Sequence, residues 1–313
     1  MAEIKNSGAF DIFGNIALVK FPEKESRITS GKKKKFAEKL LKENKSVTTV
    51  LEKVGRFKGR LRKQETRWIA GEKTKEVLYR ENGCVFRFNI DDTYFSPRLS
   101  SERKDVSEKI KKGDSVLVMF AGVGPFPIVI AKNSKAEIVY SNEINRKANK
   151  YAEQNIDLNK LKGRVVLLPG DVKRISKIIS CPPFQNLASL SRRFNGSEPT
   201  LSGSSLEKND SAKIQREEGI LDRSAQIPTA FDVIVMPRPR LKDSFLSSAF
   251  ALSKKGTRIF YYDFCKDDEI DSVVEKVREK AKEFRKKIKI LGVKKAGEIA
   301  PYKFRVRVDF NVL

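Results

Sequence analysis

Histidine is absent from this chain of 313 residues, and cysteine and tryptophan are scarce, with three and one residues. The missing imidazole removes the side chain that most often serves as a general base or a metal ligand near neutral pH. Cys84, Cys181 and Cys265 are widely separated and odd in number, which favours neither a disulfide framework nor a zinc site. We therefore expect no metal, and proton transfer must fall to a carboxylate, a lysine or a tyrosine.

Long hydrophobic runs are missing as well. No run of about 18 apolar residues occurs, and the opening MAEIKNSGAFDIFG lacks a basic segment followed by an apolar one. These absences predict a cytoplasmic protein without a membrane segment. Hydrophobic residues still make up 39% of the chain, enough for a substantial core, and the length favours about two domains.

Positive charge is what the sequence has in excess. Lysine and arginine number 65 against 40 acidic residues, which gives a net charge of +25. Such a charge attracts polyanions and makes their binding sensitive to salt. Nucleic acid is therefore the favoured partner, and a lysine-rich, well-solvated surface is the alternative.

Hydrophobic periodicity divides the chain into two parts. Residues 8–21 predict a hairpin around Gly14-Asn15, and residues 33–55 predict a helix, because apolar side chains recur near helical spacing. Strands are predicted at 116–120, 137–142, 163–168, 231–236, 256–263, 288–293 and 303–312, and helices at 126–133, 145–159, 243–253 and 267–286. This alternation is typical of a parallel sheet with helices on both faces.

A segment of different composition interrupts the alternation. Residues 181–228 are rich in Ser, Asn, Gly and Pro and predict a weakly ordered insertion. We therefore expect a basic α+β domain over residues 1–95 and an α/β domain over residues 96–313 that contains the insertion.

The run VLVMFAGVGPF, from Val116 to Phe126, predicts a strand that enters a glycine-containing turn and then a helix. Glycine lets the backbone approach a nucleotide closely. Two later strand ends carry acids, Glu143 in YSNEIN and Asp171 in PGD. In a doubly wound sheet these ends meet at the ligand crevice. The two oxygens of Glu143 suit a pair of ribose hydroxyls, and Asp171 suits an adenine amino group.

Together with DTYFSPRLSSER at 92–103 and KGRLRKQETRWIAGE at 58–72, this ordered set resembles the tRNA guanine-37 N1-methyltransferases of archaea and eukaryotes and the related wybutosine-pathway enzymes. The resemblance implies a Rossmann-like class I methyltransferase sheet, preceded by a smaller α+β RNA-binding domain. It also implies methyl transfer from S-adenosylmethionine to N1 of guanosine 37 in the tRNA anticodon stem-loop. A monomer is expected, and the chain begins at what resembles the family's second domain.

N1 of guanine becomes nucleophilic only when its proton leaves, and negative charge then develops on O6. The resemblance gives the role of base to Glu102 and that of the cation near O6 to Arg62. It implies as cofactor-binding residues Tyr94, Arg103, Phe120, Ala121, Gly122, Gly124, Glu143, Ile144, Asp171 and Val172. Arg103 is expected to face the cofactor carboxylate. Arg98, Arg238 and Pro239 are expected to bind the substrate.

Two positions depart from the family pattern. Val118 stands where an acid is usual, and Met236-Pro237-Arg238-Pro239 stands where the family has Asn-Leu-Pro. Two other functions therefore stay open. One is a wybutosine-pathway aminocarboxypropyl transferase with the same cofactor, and the other is a non-catalytic tRNA-binding protein on a decayed methyltransferase fold. Arg62 and Glu102 favour methyl transfer, because the aminocarboxypropyl reaction does not need the same deprotonation of N1.

Overall fold

A computed structural model of the protein describes residues 9–21, 29–59, 61–180, 227–237, 243–300 and 302–313. Within these ranges the strands form sheets of four, seven and two members. The insertion predicted over 181–228 lies almost wholly outside the described residues, as do Arg238 and Pro239.

The four-stranded sheet belongs to the basic N-terminal part of the chain. Its elements are β1 (Ala9–Phe13), β2 (Ile16–Lys20), α1 (Ser30–Glu43), β3 (Thr49–Lys58) and β4 (Lys63–Gly71). The predicted hairpin is confirmed, because β1 pairs antiparallel with β2 across a turn in which Gly14 has a φ of 55°. Helix α1 then carries the chain to β3, which runs parallel to β2.

The helix predicted over residues 33–55 is wrong in its second half. Helix α1 ends at Glu43, and the Asn44 side-chain amide donates to the Leu40 carbonyl oxygen at 3.0 Å. Residues from Thr49 onward form β3, where Val50 and Leu51 are fully buried. A strand buried on both faces is apolar at successive positions, so part of it fits helical spacing by coincidence.

A hairpin of β5 (Glu76–Glu81) and β6 (Cys84–Asn89) leads to a 3₁₀ turn (Pro97–Leu99) and helix α2 (Ser100–Glu108). The outer edge of β6 is paired with side chains of a helix. Asn155 and Asn159 accept from the backbone N–H groups of Arg87 and Val85 at 2.7 and 2.9 Å, and they donate to the carbonyl oxygens of the same residues at 3.1 and 2.7 Å. Asn155 and Asn159 are four residues apart, a rise of about 6.0 Å in a helix, and Val85 and Arg87 are two residues apart, a rise of about 6.6 Å in a strand. The two asparagines are therefore spaced to bind alternate residues of β6.

The seven-stranded sheet forms the larger part of the molecule. Its strands are β7 (Ser115–Met119), β8 (Ile138–Glu143), β9 (Val165–Pro169), β10 (Phe231–Met236), β11 (Ser253–Lys266), β12 (Ile288–Ala300) and β13 (Lys303–Val312). Their order is β12-β13-β11-β10-β7-β8-β9. The pairs from β11 to β9 are parallel, and β13 is antiparallel to both β11 and β12.

Among the described residues, five further helices lie between these strands: α3 (Pro125–Asn133), α4 (Arg146–Leu158), α5 (Val172–Ser180), α6 (Leu246–Ala251) and α7 (Ile270–Glu283). Helices α2, α3 and α4 share one hydrophobic cluster, and α5, α6 and α7 share the cluster on the other face. The expected α/β sheet with helices on both faces is therefore confirmed. Within the described residues, no helix combines the length and the apolar character needed to cross a membrane.

The strand order reverses between β7 and β10. From β7 the chain moves outward through β8 and β9, and it then returns to the other side of β7 as β10. Such a reversal leaves a crevice at the carboxyl ends of the strands. The predicted domain boundary at residues 95 and 96 falls between β6 and α2 and stays a prediction, because hairpin β5-β6 packs in the same hydrophobic cluster as the large sheet.

Candidate active site

A cavity opens in this crevice and encloses about 1020 Å³, its mouth included. Nine of the predicted site residues line it: Arg62, Tyr94, Arg103, Phe120, Ala121, Gly122, Glu143, Ile144 and Val172. Lining residues that the sequence did not reveal include Phe126, Asn142, Asn145, Pro237, Phe245 and Arg305.

Glu143 is fixed at the end of β8 by two backbone groups. The N–H of Gly122 donates to its Oε2 atom and the N–H of Asn145 to its Oε1 atom, each at 2.8 Å. Gly122 has a φ of 60°, which disfavours a side chain, and a Cβ there would lie 3.4 Å from the Tyr94 carbonyl oxygen. A carboxylate has about four acceptor positions. Its two oxygens at this strand end suit the two ribose hydroxyls of a nucleoside such as S-adenosylmethionine.

Replacing Glu143 by alanine is expected to weaken the binding of S-adenosylmethionine by about 1–3 kcal/mol, because two hydrogen bonds from a partly buried carboxylate are lost. Isothermal titration calorimetry measures the change. The matched control is Glu153→Ala, which removes an exposed carboxylate of α4. Equal affinities of the Glu143 variant and the wild type would remove this carboxylate from the cofactor site.

Two predicted cofactor residues, Gly124 and Asp171, do not line the cavity. Gly124 precedes α3 with a φ of 88°, and a Cβ there would lie 3.0 Å from the Ile128 Cδ1 atom. The turn before α3 thus requires glycine at position 124. The Asp171 Oδ1 atom accepts from the backbone N–H of Lys173 at 2.8 Å, at the start of α5. Its neighbours Gly170 and Val172 do line the cavity, and an adenine contact of Asp171 stays a prediction.

Two aromatic residues form an apolar wall where β7 and β10 meet. Phe120 and Phe245 both have left-handed backbone conformations, with φ values of 58° and 56°. Their rings meet edge to face with centroids 4.9 Å apart. A left-handed conformation is unfavourable for a bulky residue and is typically kept where surrounding structure or a ligand site enforces it. This pair excludes water from one side of the cavity.

Arg103 lines the cavity, but its charge is paired within the protein. Its guanidinium, 1% exposed, forms a bidentate ion pair with Glu81 of β5, with Nη2 donating to Oε2 at 2.5 Å. Nη2 also donates to the Ser96 carbonyl oxygen at 3.0 Å. The pair ties hairpin β5-β6 to α2. A cofactor carboxylate would have to compete with Glu81 for this guanidinium.

Glu102, the predicted base, is buried outside the cavity lining and is 4% exposed. Arg307 and the Tyr262 hydroxyl donate to its Oε2 atom at 2.8 and 3.2 Å, and the Nζ atom of Lys294 lies 2.7 Å from Oε1. Burial and the nearby Glu102 carboxylate raise the pKa of Tyr262. Successive residues of a helix point about 100° apart, so Glu102 faces β12 and β13 while Arg103 faces the hairpin.

Arg98, predicted to bind substrate, is exposed and forms an ion pair with Asp11 of β1, with 2.7 Å between Nη2 and Oδ1. It does not line the cavity. Arg238 and Pro239, which were also predicted to bind substrate, lie outside the described residues. Their neighbour Pro237, which follows β10, lines the cavity.

Arg62, Tyr94 and Arg305 come together at one side of the cavity. Arg62 follows β3 in a turn, with a φ of 53°, and its guanidinium carbon lies 4.2 Å from the centroid of the Tyr94 ring. The Tyr94 hydroxyl lies beside the guanidinium of Arg305 in β13. Burial and the nearby Arg62 lower the pKa of Arg305. The one sequence signal for Arg305 is its polar position in a closing strand, KFRVRVDFNV, whose polar and apolar residues alternate.

Comparison with known proteins agrees with this geometry. The family model described as TRM5/TYW2 methyltransferase domain matches residues 77–181. The chain is 32% identical over 305 residues to the tRNA (guanine(37)-N(1))-methyltransferase Trm5b of Pyrococcus abyssi, covering 97% of this chain and 74% of that protein. The crystal structure of that Trm5b matches with a TM-score of 0.72 and 31% identity, over 97% of this chain and 74% of that one.

A second relative matches along its whole length. The chain is 29% identical over 321 residues to the tRNA (guanine(37)-N(1))/4-demethylwyosine(37)-methyltransferase Taw22 of Nanoarchaeum equitans, covering 97% of this chain and 100% of that protein. The resemblance inferred from the motifs is thereby confirmed. This chain belongs to the TRM5/TYW2 family of methyltransferases.

Proposed function

We propose that this protein is a tRNA methyltransferase that transfers the methyl group of S-adenosylmethionine to N1 of guanosine 37. One observation carries the proposal: a single cavity joins a ribose cradle, Gly122 and Glu143, to the guanidinium of Arg62. The chain's 32% identity over 305 residues to a Trm5b of this activity supports the same conclusion.

The chemistry asks for a cation near the O6 atom of guanine. When bound, S-adenosylmethionine supplies an electrophilic methyl group on a sulfonium. Arg62 presents a planar guanidinium that is held over Tyr94, and its N–H donors suit an oxyanion. Phe120 and Phe245 make part of the cavity lining apolar, and a less polar surrounding strengthens electrostatic contacts. The role of Glu102 as base remains part of the proposal and requires its carboxylate to leave Lys294.

Binding of the RNA rests on the basic surface. The net charge of +25 provides long-range attraction to tRNA, and we propose that residues 1–95 form the domain that holds the anticodon stem-loop. The target guanosine must leave its stack to enter the cavity. We propose that the enzyme acts as a monomer in the cytoplasm, where tRNA is available.

The proposal is tested with two tRNA transcripts that differ only at position 37, one with guanosine and one with adenosine. After incubation with isotopically labelled S-adenosylmethionine, nucleosides are separated and identified by mass spectrometry. We expect labelled N1-methylguanosine from the first transcript and none from the second. An aminocarboxypropyl nucleoside, or tight binding without any transfer, would contradict the proposal and support one of the two other functions.

Replacing Arg62 by alanine is expected to lower the single-turnover rate of methyl transfer roughly 10²–10³-fold, the effect of losing one donor to a developing oxyanion. Binding of S-adenosylmethionine should be nearly unchanged. The control is Arg67→Ala, an exposed arginine of β4 that does not line the cavity. Equal single-turnover rates of both variants at saturating tRNA would exclude Arg62 from the reaction.

A second substrate is favoured by the match to Taw22, which is complete over that protein's length. We propose that 4-demethylwyosine at position 37 enters the same cavity. The same mass-spectrometric assay on tRNA that carries 4-demethylwyosine tests this directly. Methylation of guanosine alone would restrict the enzyme to the first substrate.

A further inference from the structure

Arg305 is the cavity-lining cation that the sequence did not reveal, and its partners within the protein are uncharged. The Tyr94 hydroxyl lies beside its guanidinium, and the guanidinium carbon lies 5.3 Å from the centroid of the Phe264 ring. In the described part of the chain, no carboxylate forms an ion pair with it. A guanidinium carries five N–H donors, so these contacts orient the group and leave donors for a ligand.

The other guanidinium at this side increases the local positive charge. Arg62 lies over the ring of Tyr94 and Arg305 lies beside its hydroxyl, so two cations meet at one tyrosine. Bringing like charges together in a partly buried site is unfavourable, and an anion bound there offsets that cost.

The backbone of Arg305 lies across the sheet from the Gly122 and Glu143 cradle. Arg305 pairs in register with Phe264, near the carboxyl end of β11. Glu143 ends β8, which lies four strands away in the order β13-β11-β10-β7-β8. At about 4.8 Å per strand this separation is on the order of 19 Å. The backbone of Arg305 thus lies across the sheet from the ribose-binding end of the cavity, on the side that carries Arg62 and Tyr94.

We propose that Arg305 binds the backbone phosphate next to nucleotide 37 of the tRNA while Arg62 faces the base, an assignment that rests on the proposed function. A phosphodiester carries a full charge and has oxygens that match the planar guanidinium fork. The carbonyl O6 of guanine gains only partial charge during the reaction. Arg305 is thus a positioning residue, which places the flipped nucleotide for the reaction.

The test is a double-mutant cycle between the protein and the RNA. A synthetic anticodon stem-loop carries uncharged methylphosphonates on both sides of nucleotide 37, and its dissociation constant is compared with that of the unmodified RNA for wild type and Arg305→Gln. We expect Arg305→Gln to weaken binding of the unmodified RNA by roughly ten- to hundredfold. We expect it to have little effect on the methylphosphonate RNA. The slope of log K against log salt should become shallower by about 0.7.

Two further variants keep the result interpretable. Arg305→Lys retains the charge but loses the planar fork, and it should restore the salt slope and part of the affinity. Arg278→Gln removes a cation of α7 that pairs with Glu275 and does not line the cavity, and it should leave the cycle unchanged.

Independent effects of Arg305→Gln and the methylphosphonates, with an unchanged salt slope, would overturn the proposal. The proposal would also be overturned if Arg305→Gln slowed single-turnover methyl transfer but left RNA affinity unchanged. That result would assign Arg305 to the guanine base and not to the phosphate. If Arg305→Gln lowers the Tm of the protein and its effect on RNA binding does not depend on the methylphosphonates, the role of Arg305 is structural. Wild-type methyl transfer to guanosine 37 is measured in parallel. Its failure would overturn the proposed function, whereas the phosphate coupling is read from binding alone.

Discussion

Glu102→Gln is expected to lower the single-turnover rate of methyl transfer by roughly 10²–10⁴-fold, the range for a lost general base. Glutamine keeps the shape of the side chain but has one acceptor oxygen in place of the two that bind Arg307 and Lys294. Rapid-quench measurements record the single-turnover rates of the variant and the wild type.

Asp105→Asn is the matched control, because Asp105 shares the partners Arg307 and Lys294 with Glu102. If Glu102 is the base, the single-turnover rate should fall strongly in Glu102→Gln and less than tenfold in Asp105→Asn. Similar small losses in both variants, each with a lower Tm, would show that Glu102 only supports α2. The proposed base would then be wrong even if methylation of guanosine 37 is found.

Arg307→Leu is expected to lower the free energy of unfolding by about 3–5 kcal/mol, since a buried partner of several carboxylates is removed. Arg307 is 1% exposed and donates to Glu102, Asp105 and Asp309 at distances from 2.5 to 3.0 Å. Urea denaturation measures the loss. Arg278→Leu is the control, because its exposed pair with Glu275 is worth less than about 1 kcal/mol.

The same substitution changes the pH dependence of stability. Burial alone would raise the pKa of Asp105, but hydrogen bonding and attraction from Arg307, together with Lys109 and Lys294, lower it. A lowered pKa stabilises the native state above the unfolded value of about 3.9, and this contribution is lost as the pH falls through the folded value. Below about pH 4, the wild type should lose more stability than Arg307→Leu. An equal loss of stability in the wild type and in Arg307→Leu would show that Arg307 is not the cause of the lowered pKa of Asp105.

Much of the fold could be predicted because its signals are local. The strands β7, β8 and β10 lie within two residues of their predicted bounds, since each is a short apolar run between a helix and a turn. The bounds of β3 were missed because its apolar residues also fit helical spacing. The antiparallel placement of β13 between β11 and β12 depends on pairing over long distances in the chain, which periodicity does not record.

The site was predictable where a residue type is required by its place in the fold. Gly122 and Glu143 follow from strand ends that meet at a crevice. The partners of Glu102 and Arg103 did not follow, because adjacent residues of α2 point to different elements. Arg305 lies more than 200 residues from Arg62 and Tyr94, and only the sheet topology brings them to one cavity.

Strand β13 also sets the time at which this cavity is completed during synthesis. Glu102 and its partner Arg307 are 205 residues apart in the chain. At synthesis rates of about 5–20 residues per second, roughly 10–40 s separate their appearance. During this interval the carboxylates of Glu102 and Asp105 remain hydrated, because Arg307, with which they later form buried ion pairs, has not yet been synthesised. The Gly122 and Glu143 cradle can form first, and the side of the cavity that carries Arg305 forms only after residues 303–312 enter the sheet.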